Sequence, residues 1–266
     1  MQTAVVAPLL SSAAMITLMD EIPLWTLGLL TILLTLSTFE IGYRFGRRHR
    51  PEGEGALGTL VGAAMGLLAF LLAFTFGMAA SRFDDRRQLV LQEANAIGTA
   101  YLRADLVPEP HGTEIQGLLR DYADARIEAV QPGKLDAAIA RSEELHRHLW
   151  TEITALAQAD PHSIVGGLLI ESLNEVIDLH EMRITAGLRS RIPGRIWDAL
   201  YVLTVLAMLA VGYHAGQSGE RSPAVVPLAL AFSAVILVVA DLDRPQEGAL
   251  RVSQQALIDT RESMDR

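Results

Sequence analysis

The sequence predicts an all-α integral membrane protein with four transmembrane helices and an extramembrane helical bundle. Three observations predict this fold class. Charged residues make up only 20% of the 266 residues and the mean hydropathy is +0.29, whereas a soluble domain draws roughly a quarter of its residues from the charged types. Four stretches are almost free of charge. The one long polar region shows helical periodicity rather than the alternation of strands.

The four stretches each approach the roughly 20 apolar residues that a spanning helix requires. The first ends at Tyr43 and a group of arginines, residue types that mark a membrane-water boundary. Glu40, near the end of this otherwise uncharged helix, is by default a functional candidate, but a pair with Arg44, one turn on, explains it at least as well. An earlier uncharged stretch, 4–19, has no basic residue before it, contains Pro8 and is only sixteen residues long. It is therefore expected to be interfacial or re-entrant rather than a cleaved signal peptide or a fifth span. The predicted spans are 24–41, 56–80, 196–213 and 224–240.

The polar region 81–195 is predicted to hold three amphipathic helices, and a helical C-terminal tail is predicted over 241–266. Pro132 with Gly133 ends the first helix, Asp160 with Pro161 ends the second, and Ser163 is the expected N-cap of the third. No proline occurs from 56 to 107. The second span is therefore expected to continue beyond the membrane as one helix of about 52 residues, ~78 Å long. The predicted divisions are 1–80, 81–195, 196–240 and 241–266.

Composition excludes several classes of function. The absence of cysteine excludes disulfides, thiolate metal sites and a thiol nucleophile. A net charge of −9 with a single lysine, Lys134, argues against nucleic acid as a partner. Glu143 and His146 have the spacing of half a di-iron site, but no second such motif occurs, so we expect solvent-exposed histidines and no metal. Since no nucleophile or phosphate-binding motif occurs either, neither an enzyme nor a cofactor is predicted.

The second span carries a row of small residues that would allow close approach of another backbone. Packing inside one subunit is the favoured interpretation, and contact between subunits is the alternative. The row consists of Gly58, Gly62, Gly66, Ala73 and Gly77.

Phe70, Phe74 and Met78 follow each other at four-residue steps beside this row. Such a row most often faces lipid or packs in a core. The alternative is an apolar constriction that gates a pore by dewetting. These three residues are therefore the candidate pore or gate residues.

A layer of charged residues is predicted where the second and fourth spans reach the same membrane face. Opposite charges from the two helices could interlock, or, in an oligomer, could form a ring at a pore mouth. Simple boundary charge is an equally good explanation. The layer comprises Arg82, Asp84, Asp85, Arg86, Arg87 and Glu93 on one side, and Asp241, Asp243 and Arg244 on the other.

The side of the membrane that holds the polar region is less clearly marked. Nine arginines flank the spans on that side against five on the other, which favours a cytoplasmic polar region and cytoplasmic termini. Four of the five lie together after the first helix, which favours the reverse.

Several motifs resemble bacterial four-helix membrane proteins with a bestrophin-like domain. They are GLLAFLLAFTFGMAASRFDDRR at 66–87, EANAIGTAYLR at 93–103, and DLDRP at 241–245 followed by Gly248 and VSQ at 252–254. The resemblance implies four membrane helices, an extramembrane helical region and a place in the bacterial inner membrane. It also implies kinship with bestrophins, which are pentameric anion channels with a cytosolic helical domain and an apolar neck lined by their second helices. Phe70, Phe74 and Met78 would then be the neck candidates.

The leading hypothesis is a homo-oligomeric channel in the lipid bilayer that passes ions, with anions as the class that the resemblance implies. The competing hypothesis is a non-conducting scaffold or sensor. It rests on the acidic stretch 88–194, which contains sixteen acidic and nine basic residues. Such a surface could bind a protein partner.

Overall fold

A computed structural model describes residues 22–49, 56–219, 223–244 and 248–266. The stretch 4–19, predicted to be interfacial or re-entrant, lies outside the described residues. Within these ranges the chain forms α-helices and no β-strand, which confirms the predicted fold class. The helices are α1 (Leu24–Gly46), α2 (Ala56–Ala104), α3 (His111–Glu128), α4 (Leu135–Ala159), α5 (Ile164–Ile184), α6 (Gly194–Ser218), α7 (Val225–Asp243) and α8 (Gln255–Ser263).

Four helical runs of the described chain are long and apolar enough to cross a membrane: α1, α2, the run Ile164–Ser218 that contains α6, and α7. Helix α2 has 49 residues, which confirms the predicted continuous helix. The Glu40 carboxylate lies 2.8 Å from Arg44 Nε, as expected from their spacing.

The predicted helix ends in the polar region are also found. Gly133 follows α3 with φ of 75°, a left-handed conformation that glycine adopts without steric cost. The Ser163 hydroxyl accepts a hydrogen bond from the Gly166 backbone N–H at 3.0 Å, which confirms it as the N-cap of α5. A π-helical turn, Thr185–Arg189, follows α5 before the chain reaches α6.

The chain divides into two compact units. The first, the membrane unit, comprises 1–82 and 191–250, and the second, the bundle unit, comprises 83–190 and 251–266. In the bundle unit, α3 packs against α4 and α8, and α4 packs against α5. Its core is built of fully buried aliphatic side chains, among them Ile97, Ile115, Leu149, Leu173 and Leu257.

In the membrane unit, α1 and α6 meet backbone to backbone. Two glycines on each helix lie against main-chain oxygens of the other helix, where a methyl group in place of the glycine hydrogen would overlap those oxygens. Residue numbers rise together along the two helices, so the helices run parallel. Both pairs have the four-residue spacing that allows close helix approach in membranes. The contacts are Gly42 with Leu209, Gly46 with Tyr213, Gly212 with Phe39, and Gly216 with Tyr43.

Candidate functional site

Helix α2 has one buried side and one exposed side in the membrane unit. Leu68, Leu72, Thr75 and Ala79 are buried and recur at three- or four-residue steps, so they mark a single side of the helix. The opposite side carries residues that the rest of the described chain leaves uncovered. We call this set the open face of α2; it consists of Gly62, Gly66, Phe70, Ala73 and Gly77.

The glycines of the open face have no close neighbours among the described residues. Within those residues, a side chain at Gly62, Gly66 or Gly77 would meet no atom within 4 Å, and at Gly58 it would meet only the His214 ring, at 3.9 Å. The favoured interpretation, packing inside one subunit, is therefore wrong for the first three glycines. Contact between subunits stays a prediction.

The three neck candidates differ in exposure. Phe70 is 69% exposed and Phe74 is 57% exposed, whereas Met78 is half-buried. The cause is helix geometry. A step of four residues turns the side-chain direction by about 40° more than a full turn, so successive members of the row lie closer to the buried side of α2. Phe70 is thus the most open of the three, and the role of all three as a neck stays a prediction.

The predicted charge layer separates into groups with different surroundings. Arg82 and Asp243 approach each other, with Nη1 and Oδ1 3.9 Å apart, so one charge of α2 does meet one charge of α7. Asp243 also accepts a hydrogen bond from the Ile192 backbone N–H at 2.9 Å. Asp241 accepts one from the Ala249 backbone N–H at 3.0 Å.

The other charges of the layer lie elsewhere. Arg86 and Arg244 are buried. Asp84, Asp85 and Arg87 are exposed on α2. Asp84 accepts a hydrogen bond from Gln88 Nε2 at 2.8 Å. Because Asp84 is seven residues, or two turns, beyond Gly77, it lies on the same side of α2 as the open face.

Glu93, which the sequence placed in the boundary layer, lies instead in the core of the bundle unit with 0% of its surface exposed. Arg183 from α5 contacts its Oε2, and Arg126 Nε from α3 lies 3.1 Å from its Oε1. The Tyr122 hydroxyl donates to Oε1 at 2.6 Å. Burial and the neighbouring Glu93 carboxylate raise the pKa of Tyr122 well above its usual value, so Tyr122 stays a proton donor.

Two histidines complete this cluster. His146 on α4 and His180 on α5 are buried, which corrects the expectation of solvent-exposed histidines. The Tyr122 ring lies 4.8 Å from the His146 ring, and its hydroxyl is 3.3 Å from His180 Nδ1. Burial lowers the pKa of His146; Glu93 opposes this effect and Arg126 adds to it, and together they place the pKa at about 4.

The arrangement has no features of a metal site. Among the described residues, no group of three or more His, Asp or Glu side chains could hold a metal ion. Glu143 is exposed while His146 points into the core, so the Glu-x-x-His spacing does not bring the two together.

Sequence reasoning missed the cluster because Glu93 finds its partners far along the chain, on α3 and α5. It also missed the crossing of α1 and α6. There a signal was present, since Gly42 with Gly46 and Gly212 with Gly216 each have the four-residue spacing of small residues.

The membrane helices and the bundle define a polytopic, all-α membrane protein with a helical extramembrane domain. The chain belongs to the family of the Bestrophin-like domain, whose family model matches residues 29–257. This confirms the resemblance seen in the motifs.

Solved structures agree with the family. A point mutant of a bacterial bestrophin homologue from Klebsiella pneumoniae is 15% identical, with a TM-score of 0.63 over 91% of this chain and 98% of that one. A structure of the same homologue, phased on zinc, is 16% identical, with a TM-score of 0.63 over 90% of this chain and 96% of that one. A structure described as a membrane protein mutant is 16% identical, with a TM-score of 0.64 over 90% of this chain and 96% of that one. These likenesses support the fold. No curated protein matches the chain.

Proposed function

We propose that the protein is a homo-oligomeric channel that passes anions passively through a pore lined by α2. The observation that carries the proposal is the open face of α2, a row of small and aromatic residues that no other part of the described chain covers. Small residues let helices of neighbouring copies approach closely. A self-associated ring of α2 helices would give this face a partner.

Phe70 and Phe74 are the gate candidates. Apolar rings that narrow a pore gate it by excluding water. The ring of Phe70 is less covered by the rest of the described chain than that of Phe74. Membership of the Bestrophin-like family supports the channel class, and the proposal assigns no enzymatic activity to the chain.

The test is electrical. The purified protein, inserted in a planar bilayer under a chloride gradient, is expected to give discrete currents that reverse near the chloride equilibrium potential. Phe70→Ala is expected to raise the open probability, because it removes an apolar barrier. Phe76→Ala is the matched control: Phe76 is an exposed ring on the same helix, about 120° around it from Phe70.

Two results would contradict the proposal. Silence at all voltages, with insertion verified, would favour the scaffold or sensor whose bundle binds a protein partner. Currents that reverse near the cation equilibrium potential would overturn the anion assignment and leave the channel class standing.

The bundle unit and both termini are proposed to lie in the cytoplasm, with the protein in the bacterial inner membrane. The arginine distribution supports this orientation. The chain has no cysteine, so single-cysteine variants can be labelled specifically. His162→Cys, exposed before α5, should stay unlabelled by an impermeant maleimide in intact cells, and Ser218→Cys at the end of α6 should react. The opposite pattern would invert the orientation.

A further inference from the structure

The bundle unit contains two buried histidines, each with one unsatisfied ring nitrogen. The rings of His146 and His180 are 4.9 Å apart between centroids, with planes at 86°. The Nε2 atom of each has no hydrogen-bond partner among the described residues. A buried polar atom without a partner destabilises the fold, so apolar packing alone does not explain the pair.

Every helix around the pair contributes a group that faces it. Glu93 comes from α2, Tyr122 and Arg126 come from α3, and Arg183 comes from α5. Gln254, which precedes α8, accepts a hydrogen bond from Arg183 at 3.0 Å and carries no charge.

The charges of this cluster do not balance. One carboxylate, Glu93, stands against two guanidinium groups, Arg126 and Arg183, so the site holds one excess positive charge. A proton on either imidazole would add a second excess charge in a place with almost no access to water. Buried charges without a counter-charge are strongly unfavourable.

We infer that His146 and His180 form a proton-operated switch of the bundle unit, in which the contact between α4 and α5 is closed while both imidazoles are neutral and opens when they take up protons. This inference is independent of the proposed channel function, because it concerns a movement within the bundle unit.

The direction of the switch follows from the pKa of His146. Its value in the closed state is about 4, below the ordinary 6.5, so the closed state loses stability as the pH falls from 6.5 toward 4. Over that interval the open state binds up to two more protons than the closed state. The ratio of open to closed protein should then rise by up to about 100-fold per pH unit, or about 10-fold for a single histidine.

A buried thiol can report the opening. Ser142 on α4 is fully buried one turn before His146, and the chain has no native cysteine. The full-length Ser142→Cys protein is labelled with dithiodipyridine, which reacts with thiols at acid pH. A parallel Gln158→Cys protein, exposed on the same helix, corrects for the reagent's own pH dependence.

The corrected labelling rate should rise steeply between pH 6.5 and pH 4. His146→Gln and His180→Gln should each reduce the rise in labelling rate from up to about 100-fold to about 10-fold per pH unit. The double variant should abolish the part of the pH dependence that the histidines contribute. The matched control is His148→Gln, an exposed histidine two residues from His146, which should leave the slope unchanged.

The inference is overturned if labelling of the parent Ser142→Cys protein does not depend on pH, a result that requires no histidine variant to fold. It is also overturned if the slope survives in both single variants, with their helical circular dichroism intact at pH 7.5. Channel recordings play no part in this test, so its failure and that of the proposed function are distinguishable.

Discussion

Replacing Glu93 with glutamine tests whether the buried carboxylate holds the bundle unit together. Glu93 is completely buried and is the partner of Arg183 and Arg126 at once. In Glu93→Gln the two guanidinium groups remain buried with no carboxylate between them. Removing one partner of a buried ion pair destabilises a protein by about 3–5 kcal/mol. Because two arginines lose the same partner here, we expect the upper part of that range.

The excess positive charge predicts that removing Arg183 and removing Glu93 destabilise the protein by different amounts. Arg183→Gln leaves Glu93 paired with Arg126, a neutral set with the Tyr122 hydroxyl still donating to the carboxylate. It should therefore destabilise the protein less than Glu93→Gln does.

The assay is denaturant unfolding of the purified protein in detergent at pH 7.5, followed by circular dichroism and by thiol labelling of the buried Ser142→Cys background. The matched control is Glu143→Gln, an exposed glutamate on α4, which should change the free energy of unfolding by less than about 0.5 kcal/mol. A loss for Glu93→Gln below about 1 kcal/mol, or one no larger than that for Arg183→Gln, would show that the Glu93 carboxylate does not hold the bundle unit together.

Two further predictions concern the membrane unit and the exposed charge on α2. Gly212→Ala should lower the free energy of unfolding by about 1–3 kcal/mol, because the added methyl group overlaps the Phe39 carbonyl oxygen. Gly117→Ala, on α3 with nothing within 4 Å, should instead raise it by about 0.5–1 kcal/mol, and thermal unfolding distinguishes the two signs. Asp84→Asn should shift the reversal potential toward that of chloride, most strongly at low ionic strength, since it removes an exposed carboxylate beyond the open face. Asp178→Asn, exposed on α5, should not, and an equal shift in both would attribute the effect to net charge alone.

Sequence patterns predicted the helical framework closely, because its signals are local. The charge-free stretches gave the four spans, and the absence of proline between 56 and 107 gave the long α2. Gly133 and Ser163 marked helix ends through backbone geometry and capping, each of which depends on a few neighbouring residues.

The same patterns could not locate the buried cluster. Glu93 follows the charges of 82–87 in sequence, so its neighbours suggested a boundary layer, yet its partners Arg126 and Arg183 lie on two other helices. His146 and His180 show nothing in the sequence that separates them from the exposed His148. Which side of a helix is covered depends on tertiary packing. For the same reason, the sequence could not show that the glycines of α2 lie uncovered, whereas those of α1 and α6 form a backbone contact.

That crossing also limits how the membrane unit can move. The glycines of α1 and α6 place main-chain oxygens of each helix in shallow notches of the other. Sliding α6 along α1 by about 1.5 Å, the rise of one residue, would carry those oxygens out of the notches. These contacts therefore hold the two helices in one register. Any widening of a path along α2 has to come from displacement of α2 or α7 against this fixed pair, so cross-links between α1 and α6 should leave conduction intact.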